Sequence, residues 1–98
     1  MREGLSEGLN RLLSLGISEG LNEGISEGFK ENLVEILKLL IKEKGLRITE
    51  ISEKLQKPQK TLERHIKILK RINAIEYKGS KRTGGYVLSK IFLEELNK

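Results

Sequence analysis

The chain has 98 residues, a length that allows one small domain with at most a short appendage. It contains no cysteine and a single histidine, so we expect neither a disulfide framework nor a metal site, and no cofactor is predicted. The net charge is +5 and is unevenly distributed, with −3 on residues 1–28 and +8 on residues 29–98. A basic excess of this kind attracts polyanions. The alternative is a lysine-rich surface that serves solubility alone.

Membrane and enzyme functions have no support in the sequence. No stretch approaches the roughly 18 apolar residues that a membrane span needs, and the N-terminus lacks the apolar core of a signal peptide. We therefore expect a soluble cytoplasmic protein with no membrane partner. We also find no carboxylate pair, nucleophile–base set or metal-ligand cluster, so an enzyme is not expected.

Residues 1–28 repeat with a period of four, because the unit Gly-Leu-Ser-Glu and its variants recur along this segment. The period exceeds the 3.6 residues of a helical turn, and frequent glycine opposes a stable lone helix. Two interpretations stay open: a helix that forms when packed and continues into the next one, or a low-complexity linker. Glycine at every fourth position lets helices approach closely, so we predict a homo-oligomer formed through residues 1–40.

From Phe29 onward the apolar spacing becomes that of an ordinary amphipathic helix, which Gly45 can end in a left-handed conformation. A short second helix is predicted over Glu50–Gln56, with Thr49 as its N-cap. Pro58 suits the start of a third helix over about 58–72. Asn73 suits the C′ position that follows this helix, because asparagine tolerates a positive φ.

The remaining elements complete a recognisable order. Two β-prone runs, 75–78 and 85–88, flank a glycine-bounded basic turn and predict a hairpin. A last helix is predicted over 90–97, with Ile91, Phe92 and Leu96 turned inward. The fold class is therefore mainly α with a small β-hairpin. We predict a winged helix-turn-helix domain over 29–98, preceded by the glycine-rich segment 1–28.

This arrangement suits binding to double-stranded DNA, with the helix at about 58–72 in the major groove and the wing at about 75–88 on the backbone or minor groove. Arg64 suits guanine, Gln59 suits adenine, and Thr61 suits a phosphate or a thymine methyl group. The side chains predicted to contact phosphates are Lys60, Lys67 and Arg71 on the helix and Lys78, Lys81 and Arg82 on the wing.

Each of these features has a simpler explanation that stays open. A basic helix face is often only a solvated face, and a basic hairpin tip is often only a soluble turn. We expect His65 to pack beside Leu62 and Leu69, and Tyr77 and Tyr86 to pack across the strands. The alternative function is a protein interaction module that uses the winged helix as a scaffold without binding DNA.

Two runs carry a resemblance to known proteins: Ile48–Lys70, and Ala74–Tyr86 with its Gly-Ser-Lys-Arg-Thr-Gly-Gly turn. They resemble bacterial and archaeal winged-helix regulators. With the preceding Gly-Leu-Ser/Asn-Glu repeat, the chain looks like the C-terminal module of prokaryotic Schlafen/AlbA-type transcriptional regulators, often labelled RecG-like ATP-dependent helicases. The resemblance implies transcriptional regulation or DNA tethering. No nucleotide-binding motif occurs in this sequence, so the ATP-linked label is not carried over, and Asn73 replaces the glycine usual at that point.

Overall fold

A computed structural model describes residues 5–20, 26–80 and 84–96. The elements follow one another as α1 (Leu5–Gly20), α2 (Glu27–Lys42), α3 (Ile48–Leu55), α4 (Gln59–Arg71), β1 (Ile75–Lys78), β2 (Gly85–Leu88) and α5 (Lys90–Leu96). The two strands pair antiparallel, with Ile75 opposite Leu88 and Lys78 opposite Gly85. Five helices and one hairpin in this order form a winged helix-turn-helix, which confirms the predicted fold class.

The repeat segment forms a helix that packs into the core. Leu9 and Leu13 of α1 are fully buried, and α1 contacts both α2 and α5. Gly16 allows the end of α4 to approach closely, because a Cβ atom at this position would lie 3.3 Å from the Cβ of Ile72. The apolar positions of the repeat therefore contribute to the same core as the helices that follow.

The expectation that this helix continues into the next one is wrong. Ser26 has extended backbone angles, φ −66° and ψ 156°, and its hydroxyl accepts a hydrogen bond from the N–H of Phe29 at 3.2 Å. A residue with this geometry is an N-cap, so α2 begins as a separate helix. The resulting pair lies side by side, and the Lys30 ammonium donates a hydrogen bond to the Ser14 hydroxyl across it.

The end of α2 is joined to the hairpin by close backbone contact. Gly45 takes the predicted left-handed conformation, with φ +79°, but it does not end the helix, because α2 ends at Lys42 with Glu43 as its extended C-cap residue. The Gly45 N–H donates to the Tyr86 carbonyl at 3.1 Å. The Tyr86 N–H donates in turn to the Leu46 carbonyl at 2.8 Å, which adds a single β-bridge to the edge of β2. A Cβ atom at Gly85 would lie 2.0 Å from the Gly45 oxygen, so two glycines are needed where the segments meet.

The helix α3 begins two residues earlier than predicted. Arg47 is its N-cap residue, and the Arg47 N–H donates to the Glu50 carboxylate at 3.1 Å. Glu50 therefore closes the first turn from within the helix, and Thr49 lies inside that turn and is not the cap. The helix ends at Leu55, and the C-cap residue Gln56, with φ 54°, turns the chain toward α4.

The end of α4 follows the prediction closely. Asn73 takes φ 60°, and its N–H donates to the Lys70 carbonyl at 3.1 Å. The Ala74 N–H donates to the Leu69 carbonyl at 2.8 Å. These two bonds form a Schellman motif, in which asparagine replaces the more common glycine at C′.

The last helix, α5, is capped by Ser89, whose hydroxyl accepts from the Phe92 N–H at 3.2 Å. Phe92 is buried and Leu96 is partly buried, as predicted, but Ile91 is 60% exposed. The prediction for Ile91 is wrong because a helix this short presents one narrow face, and Phe92 and Leu96 occupy it. Within 5–20, 26–80 and 84–96, none of the helices has the length and apolar character needed to cross a membrane.

Candidate nucleic-acid interface

The outer face of α4 carries a continuous basic stripe. The residues Lys60, Arg64, Lys67 and Arg71 are all exposed, whereas Leu62 and Leu69 are fully buried. Their spacing of i, i+4, i+7 and i+11 confines the four side chains to a sector of about 60° on an ideal helix. The stripe runs for about 16 Å along the helix axis. We call these four residues the basic stripe.

No carboxylate neutralises the basic stripe in the part of the chain that the structure describes. Two ion pairs join Lys54 to Glu43 at 2.9 Å and Lys57 to Glu35 at 3.8 Å, and both lie outside α4. The acidic residue of α4, Glu63, is exposed and forms no ion pair with another described residue. The stripe therefore presents its charge to solvent.

Gln59 and Thr61 flank the basic stripe on opposite sides, and both are exposed. On an ideal helix each lies about 100° from Lys60. All six predicted helix positions are therefore exposed, but only Lys60, Arg64, Lys67 and Arg71 share one narrow face of α4, while Gln59 and Thr61 lie on either side of it at the start of the helix.

The turn before α4 is held by Lys57, a basic residue that does not join the stripe. Its ammonium donates to the Asn32 side-chain oxygen at 3.1 Å, and its backbone N–H donates to the Ser52 carbonyl at 3.1 Å. The Ser52 hydroxyl donates to the Lys57 carbonyl at 2.5 Å. These bonds tie the turn to α2 and α3, so α4 is presented on a braced support.

Arg64 and His65 both contact Phe29 of α2. The His65 ring stacks on Phe29 with centroids 4.3 Å apart and an interplanar angle of 9°. The Arg64 guanidinium carbon lies 5.4 Å from the Phe29 ring centroid, within the range of a cation–π contact. Sequence reasoning missed this contact because the partners are separated by more than 30 residues.

His65 is buried and stacks on Phe29, while its packing beside Leu62 and Leu69 stays a prediction. It is 3% exposed, and its Nδ1 lies 2.5 Å from the Thr61 carbonyl oxygen. This contact makes Nδ1 the protonated nitrogen, because a carbonyl oxygen only accepts. The Nε2 atom, which is an acceptor in the neutral ring, is buried and has no hydrogen-bond partner among the described residues.

An open groove lies between the start of α2 and the first half of α4. Its volume is about 490 Å³. The lining includes two stacked aromatic rings and consists of Ser26, Phe29, Asn32, Lys60, Thr61, Arg64 and His65. The groove thus combines these rings with two hydroxyl groups and two cations that form no ion pair within 5–20, 26–80 and 84–96.

The hairpin that forms the wing is anchored to the helices, and the structure describes its two strands but not residues 81–83. Lys78 is exposed at the end of β1, while Lys81 and Arg82 lie outside the described residues. Tyr77 and Tyr86 pack edge to face with ring centroids 5.2 Å apart, which confirms the predicted cross-strand packing.

Arg47 is a further contact at the base of the wing that sequence reasoning missed. Its Nε donates to the Gly84 carbonyl at 3.4 Å, so it links the start of α3 to the wing. A Cβ atom at Gly84 would lie 2.5 Å from the Ser80 carbonyl oxygen, which restricts this position to glycine. No group of three side chains able to hold a metal ion occurs among the described residues.

Comparison with known protein families also indicates a helix-turn-helix in this chain. Residues 31–77, from α2 into β1, match the family model described as bacterial regulatory protein, arsR family, a helix-turn-helix. No curated protein matches the chain. The family model concerns only the helix-turn-helix, so the resemblance to Schlafen/AlbA-type proteins stays a prediction. Residues 31–77 are therefore similar to the helix-turn-helix of arsR-family regulators, a non-enzymatic module that binds DNA in transcription regulation.

Proposed function

We propose that this chain is the duplex DNA-binding module of a prokaryotic transcriptional regulator, with α4 in the major groove. The observation that carries the proposal is the basic stripe, which is exposed, unpaired and opposite the core-facing side of α4. A recognition helix needs this division, since one side must pack on the body while the other enters the groove.

The residues of α4 divide into two roles. Arg64 reads guanine, Gln59 reads adenine, and Thr61 contacts a phosphate or a thymine methyl group. Lys60, Lys67 and Arg71 contact phosphates, which position the protein without reading sequence. The exposure of all six side chains, with Gln59, Lys60 and Thr61 in the first turn of α4, supports their availability to DNA.

The wing contributes the second contact. Lys78, Lys81 and Arg82 lie on the backbone or in the minor groove, where basic side chains meet a strong negative potential. The exposed position of Lys78 and the anchoring of the hairpin at Gly84 and Gly85 support this role. A cytoplasmic location, where prokaryotic duplex DNA lies, belongs to the same proposal.

The proposal is tested with two single variants, one that removes a positive charge from the basic stripe and one that removes a positive charge from another surface. Lys67→Ala should weaken binding of the full chain to every duplex alike, because its contact is to phosphate. Lys38→Ala is the matched control, because Lys38 is exposed on α2 and its replacement removes the same charge. Fluorescence anisotropy with labelled duplexes gives both affinities. Equal affinities for the two variants would contradict a role for the stripe.

A second candidate function is self-association through residues 1–40, which one observation favours. Leu15 on α1 is 55% exposed, although the helix buries Leu9 and Leu13. An exposed leucine on the outer side of this helix can pack against another copy. Sedimentation of the full chain should show a dimer or larger species, and Leu15→Glu should shift it to the monomer. A monomeric mass for the unmodified chain would reject this function.

A further inference from the structure

We propose that an apolar cavity beside the hairpin binds a hydrophobic carboxylic acid, with the alkyl chain inside and the carboxylate at two lysines on the rim. The cavity lies between the end of α2, the two strands and α5, and its volume is about 430 Å³. Small-molecule sites span about 300–1,000 Å³, so the cavity is large enough for a ligand. None of the residues of α4 lines it, so the inference goes beyond the proposed DNA binding and does not depend on it.

The first observation is the aliphatic character of the cavity. The apolar side chains that line it come from three elements and are Leu40, Ile41, Val87, Leu88 and Leu93. Leu40 and Leu88 are buried, Ile41 and Val87 are half-buried, and Leu93 is 37% exposed. The lining thus runs from the core to the surface, and burial of methylene groups against it is favourable. A methylene group is about as large as a water molecule, which takes about 30 Å³, so an alkyl chain on the order of ten carbons fits.

The second observation is the pair of lysines in the same lining. Lys44 follows the end of α2 and Lys78 ends β1, and both are exposed. Neither forms an ion pair with another described residue. A lysine can lay its methylene groups along apolar surface while its ammonium group stays in water. Two cations beside an aliphatic cavity therefore match a ligand with one apolar end and one anionic end.

The carboxylates near these lysines do not cancel the positive charge. Glu43 precedes Lys44 in the chain, but its carboxylate pairs with Lys54 at 2.9 Å. Glu76 lies opposite Val87 in the hairpin and is exposed. The described lining of the cavity contains two lysines and no carboxylate. This balance favours an anion over a cation or a neutral molecule with the same alkyl chain.

The proposal is tested on the full chain with decanoate, a linear alkyl carboxylate, kept below its micelle concentration. Calorimetry gives the affinity, and backbone amide resonances locate the site. We expect saturable binding, with the largest shifts at Ile41, Val87 and Leu93. Octanoate, a shorter homologue, should bind on the order of tenfold more weakly, because less alkyl surface is buried. Decyltrimethylammonium, which has the opposite charge, should also bind on the order of tenfold more weakly.

Two double variants test the role of the lysines. Lys44→Gln combined with Lys78→Gln removes both charges from the rim and should weaken decanoate binding on the order of tenfold. Lys38→Gln combined with Lys42→Gln is the matched control, because both residues are exposed on α2 and neither lines the cavity. The control should bind decanoate within about twofold of the unmodified chain. Circular dichroism reports whether both double variants keep their helices.

The measurements on the unmodified chain decide the matter even if a variant loses its fold. Absence of saturable decanoate binding, or shifts confined to residues away from the cavity, would overturn the proposal. Equal affinities of the two folded double variants would also overturn it. If the amide resonances of the cavity follow protein concentration and not decanoate, a second copy of the chain covers the cavity and the proposal is wrong.

Discussion

At the scale of single residues, Arg64 can occupy two environments, the Phe29 ring in the free protein and a guanine base in the proposed complex. In the free protein its guanidinium lies 5.4 Å from the Phe29 ring centroid, on an exposed side of α4. A cation–π contact at an exposed site contributes only about 0.5–1 kcal/mol. A bidentate pair with guanine contributes about 1–3 kcal/mol of discrimination. Arg64 can therefore leave Phe29 for a base at small cost.

Replacing this residue tests base reading. Arg64→Ala should cost about 1–3 kcal/mol on a preferred duplex and relax the sequence preference. The measurement is anisotropy with a selected duplex and with random duplex, with Lys67→Ala as the comparison that weakens both alike. Equal losses on the two duplexes from Arg64→Ala would rule out base reading by this residue.

At the scale of elements, the sequence predicted the parts whose signals are local. The bounds of α4 fall within one residue of the prediction, because Pro58 and Asn73 act through their own backbone geometry. The start of α3 was misplaced because Glu50 caps the backbone of Arg47 from inside the helix. Both strand ranges were predicted correctly from β-prone runs and flanking glycines.

The cap at the end of α4 gives a test of this local reasoning. Asn73→Gly should raise the free energy of unfolding by a few tenths of a kcal/mol to about 1 kcal/mol, because glycine has no steric penalty at φ 60°. Asn73→Ala at the same position should lower it by about 1 kcal/mol. Urea unfolding measures both. Equal stabilities for the two variants would contradict the left-handed conformation of Asn73.

Contacts between distant elements were beyond sequence reasoning. The stack of His65 on Phe29 and the approach of Gly85 to Gly45 each join segments more than 30 residues apart. Such pairs depend on how the helices and hairpin pack, which a pattern within one segment does not encode. The candidate site was therefore predicted along α4, whereas the groove beside α2 was found only from the structure.

At the scale of the whole molecule, the repeat helix α1 and the helix-turn-helix share one core. Leu9 and Leu13 of α1 are as fully buried as Leu33 and Leu37 of α2. Glycine brings α1 close to the end of α4 at Gly16. The low-complexity repeat thus supplies apolar area that a domain of this size needs for stability.

A buried leucine of α1 and an exposed isoleucine of α5 test that statement. Leu13→Ala should lower the free energy of unfolding by about 2–5 kcal/mol, because it leaves a cavity in the core. Ile91→Ala on α5 is the control, in place of a second leucine of α1, because Ile91 is 60% exposed and its replacement should change stability by about 0.5 kcal/mol or less. Chemical denaturation of the full chain provides both values. A loss below about 1 kcal/mol for Leu13→Ala would contradict the packing of α1.

The central claim, that the basic stripe binds the DNA backbone, is tested most directly by salt. The full chain is titrated into labelled random-sequence duplex at several salt concentrations, and the association constant is followed by fluorescence anisotropy. We expect log K to fall linearly with log salt, with a slope of about −0.9 for each phosphate neutralised. Lys67→Ala should make that slope shallower by about 1, and Lys38→Ala should leave it unchanged. Absence of binding at low salt, or one slope shared by all three proteins, would contradict the account.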